Sequence, residues 1–245
     1  MKTVAIIQAH MGSTRLPGKV LLDLAGKPAL LRVVERVRRC RLVDDLVVAI
    51  STRPVDDVLA EKCAAWGAAV YRGDDRDVLS RFWGAAQNAA ADVCVRITSD
   101  CPLIDPGVSD QVVQAFRDAD PPVDYASNKI PQSFPRGLDT EVFTIDALRR
   151  ANAEARQAHE RTHVTLYLYE HPERFRLRSV TSDVDRADWR WTLDTAEDYR
   201  FLCEVYARMP ATGIFSWLDV LQLLERYPTL RQLNAHVRQK DPKEG

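Results

Sequence analysis

The sequence predicts an α/β protein built on a mostly parallel, doubly wound sheet, and three observations predict it. Short apolar runs rich in β-branched residues alternate with stretches whose apolar positions recur at helical spacing. The chain between successive runs is long enough for a crossover helix, which parallel neighbours require. The 245 residues are 46% hydrophobic, enough to bury a sizeable core and too many for general disorder.

In chain order, Val4-Ala5-Ile6-Ile7 reads as a buried strand and Leu30 to Val37 as a helix. Leu46 to Ile50 is the second strand, followed by a helix from about Asp56 to Trp66. Ala69 to Tyr71 forms a short third strand, and Val78 to Ala90 a helix. Val93 to Ile97 is the fourth strand, and Val108 to Arg117 the helix after it. The second half is less regular. Pro121-Pro122 and Pro131 to Gly137 mark loops, Glu141-Val142-Phe143 a strand, and Asp146 to Gln157 and Glu160 to Glu170 two helices. Arg174 to Val180 reads as a returning strand, Glu197 to Arg208 and Ser216 to Arg226 as closing helices, and Lys240 to Gly245 as a frayed charged tail. No repeat or low-complexity tract interrupts the chain, so 1–245 is expected to be one contiguous unit.

Charge excludes one class of partner. Lys plus Arg number 34 against 35 Asp plus Glu, for a net charge of -1, which offers no general attraction to nucleic acid. The balance is uneven: residues 1–41 hold nine basic residues and two acidic ones. Of these, Arg36, Arg38, Arg39 and Arg41 read most simply as a solvated helix end favoured by the macrodipole. The five cysteines are odd in number and lack a C-x-x-C pair, which argues against a disulfide framework or a zinc site and for a reducing cytoplasm. No stretch is long and apolar enough for a signal peptide or a membrane span.

In a parallel sheet with helices on both faces, ligands bind beyond the carboxyl ends of the strands. The residues to watch are therefore His10 to Lys19, Ser51-Thr52, Arg72-Gly73 and Thr98 to Pro102. The segment from Gln8, Ala9 and His10 through Gly12, Ser13, Thr14 and Arg15 to Gly18-Lys19 joins a strand to a basic region. Backbone N–H groups in such a turn can cradle an anion, with Arg15 and Lys19 adding charge. Exposed cations on an ordinary strand-to-helix loop fit the same residues. A Walker A motif fails, because five residues separate Gly12 from Gly18 and Val20 follows Lys19; no G-x-G-x-x-G is present either.

Asp100 follows a buried strand and Asp194 precedes a helix, so both carboxylates are expected at the sheet's rim. Each could cap a helix, or the two could hold Mg²⁺, which takes hard oxygen ligands and often only one or two carboxylates besides phosphate. Arg96, inside an apolar strand, needs a partner: a phosphate or substrate carboxylate would serve, and a buried Asp or Glu near the sheet end is the reading preferred. Around the Pro-Arg-Gly turn, Arg136, Asp139 and Glu141 offer a cation and fixed acceptors, or else a solvated hairpin. His163 follows Glu160 on a helical pattern, with a structural role or an acceptor contact both open.

Several of these segments resemble, in order, those of one family. They are Gln8 to Lys19 with Gly26-Lys27-Pro28, Arg72-Gly73…Asp77-Val78-Leu79…Arg81, Arg96 to Leu103, Asp124 to Asn128, Pro135 to Phe143, His163-Val164-Thr165, and Trp191 to Thr195. The chain resembles the cytidylyltransferases that activate acidic sugars with CTP, the KDO and sialic-acid enzymes among them. Its nearest likeness is the branch typified by spore-coat polysaccharide biosynthesis protein F. The likeness runs to about residue 200. It implies a Rossmann-like, nucleotide-diphospho-sugar transferase-like fold with a nucleotide-binding half over 1–120, an irregular acceptor-binding and dimerisation region over 121–195, and closing helices over 196–245.

The resemblance also implies CTP bound by Gln8, Ala9, His10, Gly12, Ser13, Thr14, Ser51, Thr52, Arg72, Asp77, Thr98 and Ser99, and catalysis by Arg15, Lys19 and Asp100. Mg²⁺ would sit on Asp100 and Asp194. A small acidic-sugar, phosphorylated or phosphonate acceptor would meet Tyr125, Asn128, Arg136, Asp139, Glu141 and His163. It further implies a cytoplasmic homodimer in surface polysaccharide or related biosynthesis. One departure is chemical: the family's loop reads Gln-Ala-Arg, and His10 stands where the Arg would be. The alternatives are a glycosyltransferase of related fold and a nucleotide-binding module without catalysis.

Overall fold

A computed structural model describes residues 1–210 and 213–239 of the chain. The expected tail, Lys240 to Gly245, lies outside the described residues. The first strand, β1 (Thr3–Gln8), is flanked on one side by β2 (Asp45–Ser51) and β3 (Ala69–Gly73) and on the other by β4 (Val93–Thr98), all parallel. Beyond β4 lie β6 (Glu141–Thr144), β5 (Tyr125–Ser127) and β7 (Leu177–Ser179), giving seven strands in the order β3-β2-β1-β4-β6-β5-β7. Strand β6 runs antiparallel to both neighbours, so the sheet is mixed but mostly parallel.

Successive side chains of a strand point to opposite faces, and the core divides accordingly. Ala5, Ile7, Val48, Ile50, Val93, Val95 and Ile97 pack against α1 (Ala29–Val37), α2 (Asp57–Ala65), α4 (Pro106–Arg117), α8 (Ala196–Arg208) and α9 (Trp217–Arg226). Val4, Ile6, Val47, Ala49 and Cys94 pack against α3 (Val78–Asn88), α5 (Ile145–Glu154) and α7 (Leu166–Glu170). Near-continuous apolar runs in β1, β2 and β4 are what burial on both faces demands.

Three expectations need correction. The helix read over Glu160 to Glu170 is two, α6 (Ala158–Thr162) and α7, broken at Val164, whose φ is +54°. A tertiary bond accompanies the break: Thr165 Oγ1 donates to the buried Glu141 Oε1 at 2.6 Å. Strand β5 fell within a stretch read only as a motif, because three residues show no periodicity. Arg36 is not solvated. It is 3% exposed, with Nε donating to the Ile104 carbonyl at 2.5 Å and Nη2 to that of Phe215 at 2.8 Å. Loop carbonyls brought from distant sequence, rather than the helix end, satisfy it.

Candidate active site

The parallel ladder reverses direction of growth between β1 and β4, and the loops after these two strands form the floor of a cleft. Ser99 N–H donates to the Gln8 carbonyl at 3.1 Å, carrying the ladder one residue past β4 and leaving Asp100 at the rim. The Leu193 N–H donates to the Asp100 carbonyl at 2.8 Å, which brings Asp194 alongside. Gly137 secures the third wall. Its φ is +107°, and a Cβ there would lie 2.8 Å from the Trp191 carbonyl. Backbone bonds between Arg136 and Trp189 (2.9 Å) and Trp191 (2.7 Å) pin the Pro-Arg-Gly turn beside Asp194.

The loop after β1 is braced from below. Ser51 Oγ donates to Asp56 Oδ2 at 2.5 Å, and Asp56 Oδ1 accepts the Met11 N–H at 2.7 Å. Gly18, with φ +68°, turns the chain into Lys19, which is 6% exposed. The Lys19 ammonium then donates to Asp100 Oδ2 at 2.9 Å and to Asp194 Oδ1 at 2.7 Å, and Arg15 Nη2 lies 3.2 Å from the same Asp194 oxygen. Neither aspartate is a helix cap: Asp105 caps α4 and Thr195 caps α8. Burial alone would push the Asp100 carboxyl up, but Lys19 and the Thr98 hydroxyl hold it well below the usual carboxylate range. Lys19, although burial opposes its charge, is held above its ordinary value by the two carboxylates. Both partners are therefore ionised at neutral pH.

Two cavities lie at this rim, and the cluster lines the smaller of them through Arg15, Asp100 and Asp194. One of about 670 Å³ is edged by Gln8, His10, Asp77, Arg81, Arg161 and His163. Another of about 380 Å³ brings Arg15, Thr98, Asp100 and Asp194 together with Arg136, Asp139 and Glu141. Gln8 and His163 line both, so the two lie side by side. Gly12 and Thr14 are exposed on the loop and make no hydrogen bond to another described residue, while Ser13 Oγ accepts the Leu16 N–H at 3.4 Å. The His10 pKa is lowered by the protein packed around it and by Lys19 and Arg81, against opposing pulls from Asp56 and Asp100. The ring is thus neutral at pH 7.

Several residues expected in the site do something else. Ser51 braces the loop, Thr52 donates its N–H to the Gly73 carbonyl at 2.9 Å, and Arg72 pairs with Asp57 at 2.6 Å; none lines either cavity. Ala9 and Ser99 are buried in the floor, each donating its N–H to a strand carbonyl. Asp77 caps α3 and pairs with Arg161 at 2.5 Å. Asn128 is fully buried, its amide bonded to the Leu138 carbonyl and the Thr140 N–H at 2.8 Å each, so it clamps the loop instead of facing a ligand. Tyr125 donates to Glu141 Oε1 at 2.7 Å, and Arg96 forms a buried ion pair with Glu141 and bonds Gln8 Oε1 at 3.0 Å.

The structure gives a place in the site to groups to which the sequence assigned no role. Arg81 is 4% exposed and edges the larger cavity with its Nε unpartnered. Its place one turn after Asp77 was the available signal. Lys129 reaches the smaller cavity beside the expected Arg136, and neither forms a salt bridge with any described residue. Thr192 lines it too, with a buried hydroxyl that lacks a partner. Burial pushes the Asp139 carboxyl up and Glu141 adds to this, while Lys129 and the Gln132 amide pull it back. Nothing in the local sequence marked Lys129, and Thr192 stood only as part of the Trp191 to Thr195 motif.

The sheet and its flanking helices have the Rossmann-like fold of solved nucleotidyltransferases. More particularly, the chain belongs to the cytidylyltransferase family, whose model matches residues 4–241. It is 35% identical over 230 residues to spore coat polysaccharide biosynthesis protein SpsF of Bacillus subtilis, covering 91% of this chain and 94% of that one. A solved cytidylyltransferase of Leptospira borgpetersenii superposes with a TM-score of 0.91 at 31% identity, over 98% of this chain and 99% of its own. A CMP-2-keto-3-deoxy-manno-octonic acid synthetase solved with CTP shares the fold at TM-score 0.65 and 21% identity, over 85% of this chain and 99% of its own. The family and fold expected from the ordered motifs are the ones found. No described helix is long and apolar enough to cross a membrane.

Proposed function

We propose that this enzyme transfers CMP from CTP to an acidic acceptor, a sugar acid or a phosphorylated or phosphonate compound, and releases pyrophosphate. The observation that carries the reading is the Lys19–Asp100–Asp194 cluster, with Arg15, at the smaller cavity, which shares Gln8 and His163 with the larger one. The larger cavity has the size for a nucleoside, and Gly12, Thr14, Arg15 and Lys19 offer donors to a triphosphate tail. Lys129, Arg136 and the Thr192 hydroxyl suit an anionic, hydroxylated acceptor. The acceptor oxygen bonds to the α-phosphorus as the bond to the bridging oxygen breaks; its proton passes to solvent and pyrophosphate departs. Arg15 and Lys19 balance the charge that develops on the leaving group, so catalysis comes mainly from positioning and electrostatics.

The site suits Mg²⁺. Asp100 and Asp194 are hard oxygen donors near enough to share one ammonium, and no third His, Cys, Asp or Glu joins them among the described residues. Phosphate and water would complete the shell, as is usual for this ion. When bound, it would supply neutralisation of triphosphate charge.

Screening four nucleoside triphosphates against acidic sugars and small phosphorylated acceptors tests the reading. CTP is expected to give acceptor-dependent pyrophosphate; release of a nucleoside diphosphate from a sugar nucleotide would replace it with glycosyl transfer. His10 adds a pH signature. A triphosphate stabilises its protonated form, so CTP affinity is expected to fall as pH rises from 6 to 8, with proton uptake on binding. Calorimetry in two buffers checks this, and His10→Arg should bind more tightly with that dependence removed.

A further inference from the structure

The two oxygens of Asp194 have separate partners. Oδ1 meets the cleft, accepting from Lys19 at 2.7 Å with Arg15 at 3.2 Å. Oδ2 is turned inward and accepts from Arg190 Nη2 at 2.6 Å. Arg190 is 6% exposed and its whole guanidinium is engaged: Nε with Asp198 Oδ1 at 2.8 Å, Nη2 also with Asp198 Oδ2 at 3.0 Å, and Nη1 with the side-chain carbonyl of Gln239. Asp198, fully buried, also accepts the N–H groups of Asp194 and Thr195 and the Asn234 amide, each at 3.0 Å. The same Asn234 amide donates to the Arg190 carbonyl at 2.9 Å.

The helix cap does not need this arginine, because the Thr195–Asp198 capping box closes without it. What the guanidinium adds is a planar fork across two carboxylates, which opposes rotation of Asp194. A lysine would supply the charge but not the plane. The C-terminal segment reaches the fork from outside through Asn234 and Gln239, and Gln239 also lines the smaller cavity. The residues stand at 190, 194 and 198, an evenly spaced R-x-x-x-D-x-x-x-D.

We propose that Arg190 is the positioning residue of this site: it holds Asp194 with one oxygen facing the cleft, and the C-terminal segment holds Arg190 in turn. The proposal rests on reading Asp194 as part of the metal and phosphate site.

The test compares the wild type with Arg190→Lys and Gln239→Ala by calorimetry, using Mn²⁺ as the probe in the presence of CTP, and CTP alone in chelator. Arg190→Lys is expected to weaken Mn²⁺ about tenfold, the low end of the range seen when groups behind a metal ligand are replaced, and Gln239→Ala, one step further from the ligand, by less, about threefold. CTP affinity in chelator should stay within about twofold of wild type, which a general loss of structure would not leave intact. Wild-type Mn²⁺ affinity in a folded Arg190→Lys overturns the proposal. If that variant does not fold, unchanged Mn²⁺ affinity in Gln239→Ala, whose side chain is exposed, overturns it instead. Failure of the wild type to bind CTP or Mn²⁺ would defeat the functional reading and this proposal together, an outcome distinct from either variant result.

Discussion

Asp100→Asn is expected to lower pyrophosphate release from CTP by about a thousandfold or more, the scale on which removing a principal electrostatic group acts. Asparagine keeps the shape and the hydrogen-bonding oxygen but removes the charge. Asp194 would then face Lys19 and Arg15 alone, with a surplus positive charge where a cation is proposed to bind. Stability should change little, because Lys19 keeps its 2.7 Å bond to Asp194 and is not left as an unpaired buried charge. A discontinuous pyrophosphate assay, run beside a thermal melt, reads both quantities. Turnover like the wild type's would remove Asp100 from the chemistry.

Arg96→Met should have the largest effect on stability. Arg96 and Glu141 are 6% and 2% exposed and pair directly across β4 and β6, where they are register partners. Removing one partner of such a pair typically costs about 3–5 kcal/mol, because the other charge stays buried without compensation. Part of that loss should be offset by Lys129 and by the hydroxyls of Tyr125 and Thr165, which remain on Glu141. Urea unfolding at pH 7 measures it; a loss under about 1 kcal/mol would mean that these remaining groups suffice.

The same pair sets an acid limit. Burial pushes the Glu141 carboxyl up, but Lys129, Arg96 and the two hydroxyls bring it down to about 2 from an ordinary 4.5. A carboxyl depressed in the folded state contributes stability that is fully present above its unfolded pKa and is lost as pH falls through the folded one. Its contribution in the wild type should fade between about pH 4.5 and 2, and Arg96→Met should move the acid transition upward.

How much was readable depended on whether the signal was local. Strands β1, β2 and β4 announced themselves as apolar runs because both faces are buried, and α8 and α9 were read as closing helices close to their observed bounds. The break at Val164 did not, since Thr165 bonds a carboxylate 24 residues away. Arg36 had every mark of a surface cation, yet its partners are carbonyls 68 and 179 residues distant. At the site, Asp100, Lys19 and Arg15 stood out through their position after strands. Lys129 sits in a loop with no pattern and Thr192 was only one residue of a longer motif, so the cleft alone gives them meaning.

The sequence alone determined the α/β class, the rim positions of the two aspartates and the family, since periodicity and ordered motifs are properties of neighbouring residues along a chain. Only the tertiary structure decided which charges neutralise which. Lys19 meets Asp194 across 175 residues, and Arg190 divides that carboxylate's oxygens between interior and cleft. The physical reason is that a buried charge is governed by whatever lies within a few ångströms of it, and the folded backbone, not sequence spacing, chooses those neighbours.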